Sequence, residues 1–556
     1  MVMLCLSIPV SAYDFEVDGI AYTITSLTDL TVSVEKLINV DLTEVYIPEN
    51  VEYKSKHLKV SAIENSAFKG RRKLNAINLP NTIVTIGSSA FENASALTII
   101  TLPESVEYIG ADAFSGCTSI TTLNIPKGIE QIRPRTFYGC KSLISINLNS
   151  NIKSIGAAAF KNSGLQSITI PSSVTLLGES AFAGTPIESI LLPNGIEVIP
   201  ENCFSDCLKL SQVSLSSSTI SSEAFRNCSA LQQISLPENL TTIGDRAFEG
   251  CTNLVEFSIP PEVISIEPTI LWDCPNISKL TIGKSLKGLP VYANNDYSSG
   301  GYSYQTLGGY YSYDPGFGIY GPYIKDEIYL QGVKEFVIED SNTEFSIKGF
   351  QINNNTCTPP FANTDLDYYY VGRPLVDITK WSSNTGSNSF TVKIKQGTGR
   401  INKLEVNGNC TSVPYFYQKV NTLKLGTNIK VFNLANIYKD DLVKIECLSE
   451  TPPVCTNTYY NFPTKVYTDA ILCVPFGCKQ AYANAEIWKN FWNIVEAEVG
   501  SGILDIIDDG SLKTYYQVYD LKGLLILKSD NASELRKLPK GIYIVSKKNN
   551  RYKIKI

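Results

Sequence analysis

Apolar and polar positions between residues 60 and 283 recur with a fixed period. A phenylalanine returns about every 23 residues, at Phe68, Phe91, Phe114, Phe137, Phe160, Phe182, Phe204, Phe225 and Phe248, with Trp272 read as closing the series. Five or six residues later stands a leucine or isoleucine (Leu74, Leu97, Ile120, Leu143), then an apolar pair two apart, such as Ile77/Leu79 and Leu123/Ile125. A spacing of two is the period of a strand whose alternate side chains share one face. Proline often follows, as at Pro80, Pro103 and Pro126, and having no N–H it ends the ladder there. A second pair three apart, such as Val106/Ile109 or Ile152/Ile155, is often stopped by glycine. The Ala-Phe step, as in Ala113-Phe114, is expected to open a single helical or 3₁₀ turn that plugs the interior. One such unit cannot bury its apolar side alone, so neighbours stack and share a continuous core. The expected fold is a β-rich solenoid with about ten regular coils in 60–290, roughly 45–50 Å long at a strand spacing of about 4.8 Å.

The string SVEYIGADAFSGCTSITTLNIP (105–126) resembles the BspA-like, or treponemal-type, leucine-rich repeat. That resemblance implies a bacterial protein, surface-exposed or secreted, whose relatives bind host or partner-cell macromolecules. SETPPVCTN (449–457) and ILCVPFGCKQAYANAEIWKNFWNIVE (471–496) resemble the closing coil of such proteins. By that likeness Ala481-Tyr482, Trp488, Phe491 and Trp492 would form a short capping helix, and their spacing of three and four favours core packing. VYDLKGLLILKSD (518–530) with LPKGIYIVSKKNNRYKIKI (538–556) resembles the C-terminal sorting domain of the type IX secretion system. This implies a small β-sandwich tail over 499–556 that engages the secretion machinery, although the Arg often found after the first Gly is here Leu524.

The remaining segments are less regular. Residues 1–12 end in Val10-Ser11-Ala12, a small-residue cleavage pattern, and are expected to be the remnant of an export signal. Residues 13–59 read as an N-terminal β cap, with Asp18-Gly19 as a hairpin turn. Residues 291–330 form an insertion rich in Tyr and Gly, and 331–498 carry divergent repeats with a C-terminal cap. Within the insertion, Gly316, Gly318 and Gly321 have the spacing of a dinucleotide fingerprint. No apolar strand precedes them and no helix-forming run follows, so that reading fails.

Composition narrows the chemistry. A net charge of −6 and a pI near 5.3 come without a basic stripe, which excludes an ordinary nucleic-acid binder. No run after the start reaches the ~20 apolar residues of a membrane span. Cys117, Cys140, Cys207, Cys228 and Cys251 share one slot, three residues after Phe, where other coils carry Ala94 or Ser163. A slot that accepts Ala and Ser suits free buried thiols; the pairs Cys203/Cys207, Cys447/Cys455 and Cys473/Cys478 stay open. His57, the one histidine, is expected in an exposed loop, so no histidine-based catalytic set or His-containing zinc motif can be built. No cofactor is expected.

Two surfaces remain as candidates for binding. The residues between the inward strand pairs, Asn78, Thr101, Asn124, Asn147 and Thr169, form an uncharged hydrogen-bonding column. Tyr297, Tyr302, Tyr304, Tyr310, Tyr311, Tyr313 and Tyr320 give the insertion the chemistry of a recognition loop. Both also suit ordinary sheet and insertion structure. The readings are a non-enzymatic adhesion or interaction protein with an extracellular protein or glycan ligand, a glycan-binding accessory protein using these tyrosines, and a carboxylate-dependent hydrolase in 331–498.

Overall fold

The computed structural model describes residues 13–267, 269–289, 333–341, 366–373 and 400–497 except 415 and 417, together with the backbone of individual strands within 291–328, 345–394 and 516–555. They fall into two units, Met1–Val333 and Lys334–Ile556.

The first unit opens with the expected hairpin. Phe15–Val17 and Ile20–Ser26 run antiparallel around Asp18-Gly19, both at positive φ. Thr31–Leu37 joins them and then pairs in parallel with Lys56–Ile63, the strand on which the regular stack grows. His57 is exposed, as expected, but lies on that strand opposite Glu52 and not in a loop.

Each coil buries its phenylalanine completely. From Phe68 to Phe248 the nine rings form one column, with neighbouring centroids 5.2–5.7 Å apart and planes within 10°. The segment around each ring is a run of hydrogen-bonded turns, and among the described residues no helix forms between 61 and 287. Left-handed backbone at the residues two before and two after each Phe explains this, for example Asp112 and Gly116 around Phe114. Left-handed residues cannot continue a right-handed helix. The Phe N–H is thereby freed to reach the next coil, as in Phe91 to the Ala113 carbonyl at 2.8 Å.

That same bond corrects the end of the series. Phe248 donates to the Ile270 carbonyl and Gly250 to that of Trp272, which places Leu271 in the phenylalanine slot. Leu271 is buried, while Trp272 is half-buried with the Arg246 guanidinium 5.2 Å over its ring.

Two sets of short parallel strands line the coils. One contains Glu44–Tyr46, Ala76–Asn78 and Ile99–Ile100, then Thr122–Asn124 with Ser145–Asn147, Ser189–Leu191 with Gln212–Ser214, and Glu256–Ser258 with Lys279–Ile282. The other contains the second apolar pairs, such as Tyr108–Ile109 beside Thr85–Ile86. Gly156 ends one of these second strands where the preceding coil comes close. A Cβ there would sit 2.6 Å from the Pro134 nitrogen.

The second unit is organised around a parallel sheet. Glu335–Ile338, Leu366–Val371, Arg400–Val406, Lys419–Leu425, Lys444–Cys447, Ile471–Pro475 and Asn493–Ala497 pair in that order. Its closing aromatics pack as the spacing predicts in three cases: Tyr482 and Trp488 are fully buried and Phe491 nearly so. They do not share one helix; Lys479–Asn484 is α-helical and Trp488–Asn490 a 3₁₀ turn. Trp492 is the exception, 77% exposed. In the tail, Leu525–Ser529, Tyr516–Tyr519, Ile542–Lys547 and Asn550–Lys555 form one antiparallel sheet in that order. The expected second layer of a sandwich is not among the described residues.

Candidate interaction face

The strand period fixes what the first set of strands presents. With Ile77 and Leu79 turned inward and buried, Asn78 must point outward, and it is exposed. Thr101, Asn124, Asn147 and Thr169 occupy the same position on later coils and are exposed too. The column is laddered: Asn147 Nδ2 donates to Asn124 Oδ1 at 2.7 Å. The adjacent outward column reads Ala76, Ile99, Thr122, Ser145, Ser167, Ser189, Gln212 and Gln233. Along the two columns no charged residue stands between Glu44 and Glu256.

At its first coils this face dips. Small Ala76 and Asn78 sit in register between Glu44 and Tyr46 on one side and Ile99 and Thr101 on the other. The result is an open depression of about 700 Å³, whose rim includes Glu49, Pro80, Asn81 and Pro103. Tyr46 is 70% exposed and Ile99 63%. Composition alone did not single out Tyr46, Glu44 or Glu49, because the cap strand lacks the full repeat.

The tyrosine-rich insertion contributes four antiparallel strands, Val291–Asp296, Gly301–Thr306, Gly309–Asp314 and Tyr323–Ile328. Their register sets Tyr302 opposite Tyr313, Tyr304 opposite Tyr311, and Tyr310 opposite Gln305. Tyr297 and Tyr320 lie outside the described residues.

The slot thiols are locked away. Cys117, Cys140, Cys207, Cys228, Cys251 and Cys274 each donate from Sγ to the phenylalanine carbonyl of the preceding coil at 3.1–3.3 Å. Cys274 is a sixth member of this slot, three residues after Leu271, and was hidden by reading Trp272 as the anchor. Burial pushes the Cys140 and Cys274 thiols up to about 12 and Cys207 to about 11. Cys203, Cys447, Cys455, Cys473 and Cys478 are not joined in disulfides either, so none of the open pairs is bridged in this structure.

Several carboxylates of the second unit are engaged by lysines. In the second unit Glu405 faces Lys424 at 3.1 Å, Glu446 faces Lys444 at 2.9 Å, and Asp441 faces Lys419 at 3.3 Å. A second depression of about 890 Å³ in the first unit includes Asp245, Glu262 and Glu267. There Asp245 accepts from Thr269, and Glu262 lies 3.8 Å from Lys284. Among the described residues no group of three or more His, Cys, Asp or Glu side chains could hold a metal ion, and no helix is long and apolar enough to cross a membrane.

Two matching stretches, 61–187 and 175–299, contain six copies of the BspA type leucine rich repeat region. The repeat array belongs to that family. Among solved structures, this chain is similar to a leucine-rich repeat protein from Bacteroides ovatus, at 21% identity over 87% of this chain and 100% of that one, TM-score 0.44. A leucine rich cell surface protein from Faecalibacterium prausnitzii is similar at 23% identity over 50% and 91%, TM-score 0.35. The pneumococcal vaccine antigen PcpA is similar at 14% identity over 87% and 98%, TM-score 0.26. No curated relative matches the chain.

Proposed function

We propose that this protein is a non-enzymatic interaction protein of the bacterial surface or exterior, which docks an extracellular protein on the uncharged sheet face of its BspA-type repeats. The observation that carries this reading is the exposed column Asn78, Thr101, Asn124, Asn147 and Thr169 beside a second uncharged column. Such a face offers hydrogen bonds over a broad area without the desolvation that buried charges would require. The six slot thiols are buried, and Glu405, Glu446 and Asp441 are held by lysines, which leaves these groups little chemistry for catalysis. Export fits the N-terminal apolar run and the sorting-domain likeness of the tail, which would engage the secretion machinery.

Tyr302 and Tyr313, and Tyr304 and Tyr311, stand opposite one another on neighbouring strands, which favours a second reading, a glycan contact on the insertion. Both readings are tested by screening the purified chain against extracellular matrix proteins and a glycan array. A variant lacking 291–330 and an Asn124→Arg/Asn147→Arg variant are run alongside. Loss of a protein ligand in the arginine variant supports the sheet face. Loss of a glycan ligand in the deletion supports the tyrosines, and an unaffected ligand set in both variants rejects both.

A further inference from the structure

The depression at the first coils has a chemistry that the rest of the face lacks. Its floor is Ala76 and Asn78, its apolar contacts are Tyr46 and Ile99, and Asn81 and Thr101 add hydrogen-bonding groups. Glu44 and Glu49 also line it, and among the described residues neither carboxylate has an ion-pair or hydrogen-bond partner. Lys73, a cation of the adjoining coil, is already held by Asp41 at 2.6 Å. Two exposed carboxylates beside an aromatic ring and a branched aliphatic make an acceptor site for a cation carried on an apolar stem.

We propose that this depression is a docking subsite for an extended basic segment of a protein partner. A Lys or Arg of that segment is taken between Glu44 and Glu49. An adjacent aromatic or aliphatic side chain rests on Tyr46 and Ile99. Asn78 and Thr101 serve its main chain, whose rise of about 3.3 Å per residue puts two or three residues across the three short strands. The exposed branched side chain of Ile99 gives a saccharide hydroxyl nothing to bond, so a peptide suits the site better than a sugar. This assignment rests on the sheet-face reading and sharpens it to one end of the face and one kind of partner.

The experiment pans a displayed random dodecapeptide library against the full chain and measures the affinity of the recovered peptides. The expected result is enrichment of Lys or Arg next to an aromatic or aliphatic residue, with binding that weakens as salt rises. Glu44→Gln/Glu49→Gln should then lower affinity at least tenfold, and Tyr46→Ala should lower it severalfold. Glu262→Gln, in the other depression, should leave it unchanged. Peptides that are lost on Asn124→Arg/Asn147→Arg but indifferent to the glutamine pair would overturn the subsite and leave the face standing. Recovery of no peptide, or indifference to both pairs, would overturn subsite and face together.

Discussion

The two units use the same inward strand pattern and present opposite outward chemistry. In the first, Ile77/Leu79 and their successors turn inward, and the outward columns between Glu44 and Glu256 are uncharged and mostly small and polar. In the second, Leu404/Val406, Leu423/Leu425 and Ile445/Cys447 turn inward and are buried. The register there aligns Tyr368, Lys403, Thr422 and Lys444 in one outward row, and Tyr370, Glu405, Lys424 and Glu446 in the next. These outward groups bond one another: the Tyr368 hydroxyl donates to Glu405 at 3.1 Å and the Tyr370 hydroxyl to Asp340 at 2.6 Å. Lys444 and Glu446 retain only 7% and 6% side-chain exposure. The inward period thus builds the strand, while the outward column is free to become either an open hydrogen-bonding surface or a network of matched charges.

This contrast can be broken at several points. Lys444→Met should have the largest effect, about 3–5 kcal/mol in denaturant unfolding, because it leaves the buried Glu446 without its cation. Replacing both partners by Met and Leu should return stability to within about 1 kcal/mol of the parent. A single variant as stable as the parent would reduce the pair to a surface ornament. Gly156→Ala comes next, at about 1–3 kcal/mol, since the added Cβ meets backbone of the preceding coil. Gly139→Ala is a useful partner because open space surrounds its Cβ position and its φ is +66°. Its effect of about 1–2 kcal/mol would measure conformational strain without a clash.

The thiol column gives a pH test confined to the first unit. The unfolded thiols titrate near 9.0, and burial holds Cys140 and Cys274 protonated up to about 12 in the fold. The native state therefore binds more protons between these values, and the thiol contribution, fully present below 9, is lost as pH rises towards 12. Native protein at pH 8 should leave these cysteines unreacted towards a disulfide reagent, and unfolding should expose them; rapid native labelling would refute their burial. Asn147→Ala should have the smallest effect, within about 0.5 kcal/mol, since Asn124 can exchange the lost bond for water.

Much of the coil was legible in residue spacing, because every coil meets the same neighbours and therefore repeats the same demands. The glycine, asparagine and aspartate positions two after each Phe show a finer rule that the structure explains. Asn93, Asn162 and Asn227 place their Oδ1 where the Cβ of Gly116, Gly184 and Gly250 would stand, so each of these asparagines is followed one coil later by glycine. The turn conformation was not legible, since Arg135, Ala158 and Glu223 adopt left-handed backbone that their side chains do not favour. The inter-coil hydrogen bonds of the following phenylalanines accompany that geometry. The depression was missed because Glu44 and Tyr46 lie on a cap strand, and Glu49 in the connection after it, where the full motif is absent.

By itself the sequence determined the period, the inward strand pairs, the aromatic column and the uncharged outward face, because each follows from side-chain alternation along a strand. Only the tertiary structure decided that Leu271 and not Trp272 ends the column, that Trp492 stays outside the closing core, and which lysine neutralises which glutamate. Those outcomes depend on which backbone groups of one coil meet those of the next, and that meeting is a property of stacked register that no single segment contains.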